Sequence, residues 1–473
     1  MINYLFLREK NFYLLMVLGV VLSLQHAWLP GFFADGYLYA TFGKNAAEKG
    51  FWLIPHFNNE VYQEFFHHTP FVFILEGLFF KVFGASYVSA RIFSSIFYLL
   101  SGSLIYQLTR KINNKLAYFS CFLFFTIPPL FKKVRFPNID IPLMLFLFVA
   151  FLLFLKAREK DKFWYLNGVV FGLALLTKGP LGFLIPICQL CSLLWLKELD
   201  RLKNYKPWLG LIIGLMIFSV WPICLYFTNN FHIFEKWLDF TFLHTIKDSR
   251  GIESPFYAYF IFLFKQAPIW FFLALVGVIK SFQKKGEDKI IQVVSIHFLV
   301  ILIMLSIPKF KYSNYLIINY PFMAILAAYP LTLLLSKLNQ ERMVDCGRYL
   351  VIMASLIILT FPITNKTKRD TEIHDAFLIL KKMEKIPKIL YLERGSYGFW
   401  ELSGKLTFDG YDTKVIMVNK LTTSHFSCHD CILVSKNKNI ENEKISRVFT
   451  LRRFETYLYM PNEDIKIKPT IIL

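Results

Sequence analysis

Long apolar runs alternate with short polar connectors along most of this chain. The runs are too long and too uniformly apolar for half-buried strands or one-sided helices, which show polar residues at alternate or opposite positions. After a basic flank, "MINYLFLREK", the first run predicts a helix from Phe12 to Phe33 with its N-terminus inside. A cleaved signal would show a shorter apolar core and a small-residue cleavage site; neither is evident, so this helix is expected to be retained. Further spans are expected at roughly 88–108, 115–131, 141–156, 164–177, 181–196, 208–228, 256–279, 291–307, 313–335 and 349–365. That makes about eleven crossings and places the C-terminus outside.

Two regions break the pattern. Asp35 to Ser86 is too mixed to cross a membrane. Within it, "DGYLYATFGKNAAEKG" predicts a helix stopped by Gly50. The run "FVFILEGLFFKVFG" is apolar but short and carries Glu76 and Lys81, so both segments read as helices lying in the interface plane. In the tail, "KILYLE", "KVIMVN" and "CILVS" are strand-like, and "EIHDAFLILKKMEK" is an amphipathic helix. The expected organisation is a transmembrane domain over 1–365, including an outer loop 34–87, and a small extracytoplasmic α/β domain over 366–473. No internal repeat is evident, which weakens the case for a transporter built from two related halves.

Composition turns this pattern into a class. The 473 residues are 55% hydrophobic and only 18% charged, with 52 Phe, and the mean hydropathy is +0.45. A soluble globule could not cover so much apolar surface. The chain is therefore expected to be a polytopic α-helical membrane protein. A net charge of +20 raises the question of nucleic acid, but most basic residues punctuate the spans, as orientation and contact with anionic membrane lipid require. Of the seven Cys, Cys121, Cys188, Cys191 and Cys224 lie inside apolar runs, whereas Cys428 and Cys431 form a C-x-x-C in the tail, either a disulfide or two thiols.

Charge also tests the topology. The expected inner connectors, Arg8/Lys10, Arg110/Lys111/Lys115, 156–162, 197–206, 280–289 and Lys337 to Arg348, are all basic. The outer ones should be bare, yet three carry cations: Lys132/Lys133/Arg135, Lys178 and Lys309/Lys311. Such cations suit a lipid-linked phosphate held at headgroup depth, or else they bind bulk anionic lipid or snorkel. Lys178, in "LLTKGPLGFLIP", sits between two apolar runs, where a lone cation marks a functional site. Asp35 and Asp140 each stand at the edge of a span, as a helix cap or as acids that take a proton from an acceptor beside an anionic leaving group. His67, His68 and His244 lie in outer segments without a metal-ligand spacing.

Taken in order, Asp35, "GFWLIPHFNNEVY", "LFFKVFGASYVSARIFSSIF", "NIDIPLMLF", "GLALLTKGP" and "KFKYSNYLIINYPFMAIL" resemble the GT-C type polyprenyl-phosphate-sugar-dependent glycosyltransferases. The likeness is to the aminoarabinose lipid A transferases and their protein O-mannosyltransferase relatives, over roughly residues 1–335. It implies transfer of a sugar from a polyprenyl-phosphate carrier to lipid A, another surface glycan or a protein, on the outer face of the inner membrane. Asp35 matches the first-loop acid, the proposed base, and Asp140 the second acid. Lys178, Lys311, Arg135 and Arg91 (in "SAR") would face the carrier phosphate. Two departures stand out. Asp35-Gly36 replaces a common Asp-Glu, and His67-His68-Thr69-Pro70 replaces Glu-Lys-Pro-Pro. His68 then takes the place of the phosphate-contacting Lys, and His67, His68 and His244 would hold any divalent metal such as Zn²⁺. The rival reading is a transporter or flippase for a lipid-linked sugar, which calls for broken helices and charges near mid-membrane.

Overall fold

The computed structural model describes residues 10–32, 34–243, 253–283, 289–334, 349, 351–353, 355–358, 371–382, 384–396, 398–422, 425, 430–438, 440, 445–451, 456–461 and 471–472. Two compact units result. One gathers Met1–Gln25, Phe66–Leu75 and Arg91–Ile363; the other gathers His26–Phe65, Glu76–Ala90 and Thr364–Leu473. The helices described here run α1 (Lys10–Leu24), α2 (Ala34–Lys49), α3 (Phe71–Phe83), α4 (Tyr87–Arg110), α5 (Asn114–Thr126), α6 (Pro128–Lys133) and α7 (Asp140–Ala157). They continue as α8 (Phe163–Lys178), α9 (Leu184–Leu196), α10 (Tyr205–Phe227), α11 (His232–Leu238), α12 (Ala258–Gln266), α13 (Pro268–Gln283), α14 (Lys289–Ser306) and α15 (Tyr320–Leu334).

Among the described residues, six helical stretches are long and apolar enough to cross a membrane, or seven if the bent pair α12–α13 is one span. The expectation of about eleven also counts shorter helices such as α1 and α5, and the stretch 349–365, most of which lies outside the described residues. The first helix is shorter than Phe12 to Phe33: it ends at Leu24, a turn follows, and His26 adopts φ 54. A left-handed residue cannot continue the helix. The run 256–279 is likewise not one rod. Pro268 drives Ala267 to φ −147, ψ 57, because a residue before proline avoids the helical region, and the axis turns by 120°.

The stretch Phe163–Leu196 folds back on itself as two helices. Gln189 Nε2 donates to Asn167 Oδ1 at 3.1 Å although 22 residues separate them, which a continuous helix would hold roughly 33 Å apart. Asn167 Nδ2 donates in turn to the Ala150 carbonyl of α7 at 2.8 Å. Such amide bonds satisfy polar groups that hydrocarbon cannot. The reversal lies at Gly179, φ 51. Two G-x-x-x-G pairs then seal α8 to α10 in parallel. A Cβ at Gly168 would stand 2.0 Å from the Gly210 oxygen, and one at Gly172 2.7 Å from the Gly214 oxygen. Only glycine lets the backbones come so close.

The second unit holds a six-stranded sheet in the order β2-β1-β3-β5-β4-β6. Its strands are β1 (Ile389–Glu393), β2 (Lys414–Val418), β3 (Cys431–Ser435), β4 (Ile445–Leu451), β5 (Thr456–Pro461) and β6 (Ile471–Ile472). β1 pairs in parallel with β2 and β3, whereas β5 pairs antiparallel with β3 and β4. Leu390, Leu392, Ile432 and Val434 pack on α16 (Thr371–Lys382) and α17 (Phe399–Asp409). Helix α2 belongs to this unit. Its Lys44 Nζ donates to the Phe408 carbonyl at 2.7 Å, and Gly404 of α17 leaves room for Tyr37, whose Cβ would lie 2.6 Å from an added methyl. Contacts thus group much of the 34–87 segment with the tail rather than with the residues up to 365. Inside the unit, the Asp409 carboxylate accepts from Tyr87 (2.7 Å), Lys405 (2.8 Å) and His374 (3.1 Å). Glu76, expected on an interfacial helix, is instead 2% exposed and packed against Gly43, and burial holds its carboxyl well above the usual range.

Candidate active site

Helices α7 and α8 bring together the two residues with the strongest sequence signal. Asp140 occupies the first turn of α7, but the capping bond is made by Asn138, whose Oδ1 accepts from the Ile141 N–H at 2.9 Å. That releases the Asp140 carboxylate, which accepts from Lys178 Nζ, each side chain being 8% exposed. Lys178 is the last residue of α8, an end at which a cation is stabilised by the helix carbonyls. Its ammonium also lies 4.3 Å from the centre of the Tyr315 ring, a cation–π contact.

A cavity of about 420 Å³ opens beside this pair. Its polar wall is His67, His68 and Lys178, and its apolar wall is aromatic: Trp237, Phe240, Phe310, Tyr312 and Tyr315. Thr69 fixes the histidine turn by donating to the Leu176 carbonyl of α8 at 2.5 Å. The His67 ring lies flat on Phe240, 3.9 Å between centres and 10° from parallel. Burial, then the Lys178 ammonium and His67, hold the His68 imidazole well below the ordinary histidine range, so it is neutral at physiological pH and presents a hydrogen-bonding ring rather than a charge. Gly179 adopts φ 51, and an added Cβ would stand 2.7 Å from Trp237, so glycine lets the chain turn away behind Lys178.

The remaining expected site residues lie elsewhere. Arg135, 2% exposed, donates to the carbonyls of Leu22, at 3.4 Å, and Gln25, so it closes the C-terminal end of α1. Burial lowers its pKa to about 10, which leaves it charged at neutral pH. Arg91, fully buried, donates through Nε to the Arg135 carbonyl at 3.2 Å. Neither lines the cavity among the described residues. Lys311 donates to the Ser254 and Pro308 carbonyls at 3.0 and 2.6 Å, while its neighbours Phe310 and Tyr312 face the cavity. Asp35 belongs to the second unit, half-buried in the first turn of α2. His244 and Cys428 lie outside the described residues.

Of the three histidines expected to hold a metal, His67 and His68 adjoin the cavity, and His244 lies outside the described residues. Among the described residues no group of three His, Cys, Asp or Glu side chains is arranged to hold one, and His67 with His68 supplies two ligands where zinc takes at least three from protein. The aromatic wall was the part missed from sequence. Tyr312 and Tyr315 stand three apart in "KFKYSNY", which on a 3₁₀ turn places both on one face; their ring centres are 5.8 Å apart.

A family described as dolichyl-phosphate-mannose-protein mannosyltransferase matches residues 67–223. An uncharacterized protein of Aquifex aeolicus is 25% identical over 332 residues, 67% of this chain and 63% of that one. The undecaprenyl phosphate-alpha-4-amino-4-deoxy-L-arabinose arabinosyl transferase of Pseudomonas savastanoi pv. phaseolicola is 26% identical over 263 residues, 54% of this chain and 45% of that one. The chain thus spans less than two thirds of either relative. Among solved structures, ArnT from Cupriavidus metallidurans bound to undecaprenyl phosphate superposes with a TM-score of 0.71 at 14% identity, covering 96% of this chain and 97% of that one. The Archaeoglobus fulgidus oligosaccharyltransferase follows at 0.54 and 14%, covering 88% and 64%. In sequence the chain resembles glycosyltransferases of the ArnT and protein mannosyltransferase type. Its fold is that of the ArnT structure, and it is a multi-pass membrane protein.

Proposed function

We propose that this protein is an integral-membrane glycosyltransferase that moves a sugar from a polyprenyl-phosphate carrier to an acceptor, which is lipid A, another surface glycan or a protein. The observation that carries the reading is the buried Lys178–Asp140 pair facing an aromatic-walled cavity. A phosphodiester donor bears one negative charge, and cleavage of its sugar–oxygen bond leaves more charge on the phosphate. Lys178 is the group for that charge, stabilising the leaving phosphate more than the bound donor. Asp140 offsets the cost of keeping the ammonium out of water between visits of the anion. Neutral His68 supplies a hydrogen bond to the same anion. No step is routed through a metal.

Phosphate is already a good leaving group, so the acceptor is the partner that needs help. Asp35 takes or orients the acceptor proton, and displacement at the anomeric carbon in one step inverts its configuration. The orientation that goes with this has the N-terminus in the cytoplasm and the second unit outside, supported by the basic connectors expected within. The test is transfer by the purified full chain from labelled polyprenyl-phosphate sugar in detergent, where no second compartment exists. Labelled acceptor product is expected. Movement of the lipid-linked sugar in vesicles without any transfer would overturn the reading. A reporter fused after Leu473 that works only in the cytoplasm would overturn the orientation.

A further inference from the structure

Lys311 has three N–H donors, and two of them are already spent on protein. Its Nζ donates to the Ser254 carbonyl at 3.0 Å and to the Pro308 carbonyl at 2.6 Å, and the residue is 9% exposed. The Ser254 N–H donates back to the Lys309 carbonyl at 3.0 Å. One buried ammonium thus ties two connectors, the one before α12 and the one after α14. The second connector is part of the cavity wall. Pro308, Phe310 and Tyr312 line it, and the 3₁₀ turn Ser313–Asn319 then sets Tyr315 against Lys178.

We propose that Lys311 is a positioning residue. It acts through the Ser254 and Pro308 carbonyls to hold the Tyr312–Tyr315 wall against Lys178, and it does not itself contact the donor phosphate. The physical ground is that the connector has no ladder of its own, since residues 307–312 form neither helix nor strand. Without the ammonium, two carbonyls at the edge of an apolar bundle lose their donor, and the segment bearing Tyr312 and Tyr315 loses its anchor. A phosphate-binding lysine would instead line the ligand space, as Lys178 does and Lys311 does not among the described residues.

This rests on the reading above that the cavity binds a polyprenyl phosphate, and the test separates the two. Binding of undecaprenyl phosphate to the purified full chain is measured for wild type, Lys311→Met, Tyr315→Leu and the double variant, with Lys178→Met and its double with Lys311→Met as a second cycle. Wild type that binds no undecaprenyl phosphate overturns the functional reading itself. With binding present, Lys311→Met is expected to weaken it about tenfold. On the Tyr315→Leu or Lys178→Met background the same change should cost less than about twofold, because its route is already gone. An equal factor on every background marks an independent phosphate contact and overturns the proposal. So does unchanged binding in Lys311→Met. If that variant does not fold, Lys311→Gln, which removes the charge and shortens the reach to the two carbonyls, is put through the same cycles and judged by the same rule.

Discussion

Lys178 and Asp140 are 38 residues apart in sequence, on different helices, and form an ion pair in which each side chain is only 8% exposed. An ion pair this dry is poised between two partners. On the reading proposed above, a donor phosphate would compete with the Asp140 carboxylate for the Lys178 ammonium.

Breaking that pair should therefore be worse than deleting it. Asp140→Asn or Lys178→Met alone leaves a buried charge uncompensated and is expected to destabilise by about 3–5 kcal/mol, whereas the double variant should recover much of the loss. Thermal unfolding of the four proteins in one detergent checks this. A double variant no better than the worse single would mean the two charges are not coupled.

Asp35 is the proposed base, and in the first turn of α2 its charge is worth only about 0.3–1 kcal/mol to the helix. Asp35→Asn is expected to fold and to bind undecaprenyl phosphate normally while losing transfer by about a hundredfold or more. Near-normal turnover in a well-folded variant would move the search for a base elsewhere.

Gly179 turns the chain behind Lys178 at φ 51, with Trp237 at 2.7 Å from where a methyl would go. Gly179→Ala meets both a backbone region sparsely open to residues with a Cβ (φ 51, ψ −121) and a ring, and should cost about 1–3 kcal/mol for the backbone alone. Because the ring lines the cavity, donor affinity should fall as well. Intact stability together with intact donor affinity would contradict the close contact.

The second unit should be acid-sensitive. Burial by itself would raise the Asp409 pKa, but His374, Lys405 and Tyr87 outweigh it and hold the carboxyl below the ordinary aspartate value. A folded pKa below the unfolded one means the unfolded chain binds the proton more readily. The stabilisation is complete above the unfolded pKa and is lost as pH falls through the folded one. Melting of the full chain should therefore weaken below about pH 4, and Asp409→Asn should flatten that acid limb while lowering stability at neutral pH. An unchanged acid limb in the variant would assign the effect to other carboxylates.

Hydrophobic pattern alone determined a great deal. A chain cannot leave backbone groups unpaired in lipid, so long apolar runs had to be helices, and their basic connectors followed. One glycine marked a real end: Gly50, read as a helix stop, takes φ 79 just after α2. The strand-like runs in the tail formed β1, β2 and β3. Lys178 and Asp140 also stood out in the sequence, because ionisable residues in apolar context are costly. Tertiary structure decided what each charge does. Asp35 and Asp140 looked alike as span-edge acids, and only the packing of α7 on α8, with Asn138 taking over the cap, gave Asp140 to Lys178. Lys178, Arg135 and Lys311 looked alike as outward cations, yet one faces a cavity while the others meet backbone carbonyls. The aromatic wall drew no notice, since Phe and Tyr are everywhere in such a sequence and which ring faces a cavity depends on neighbours far along the chain. Local sequence sets backbone conformation and depth in the membrane, but the partner of a buried polar group is set by which helices pack together.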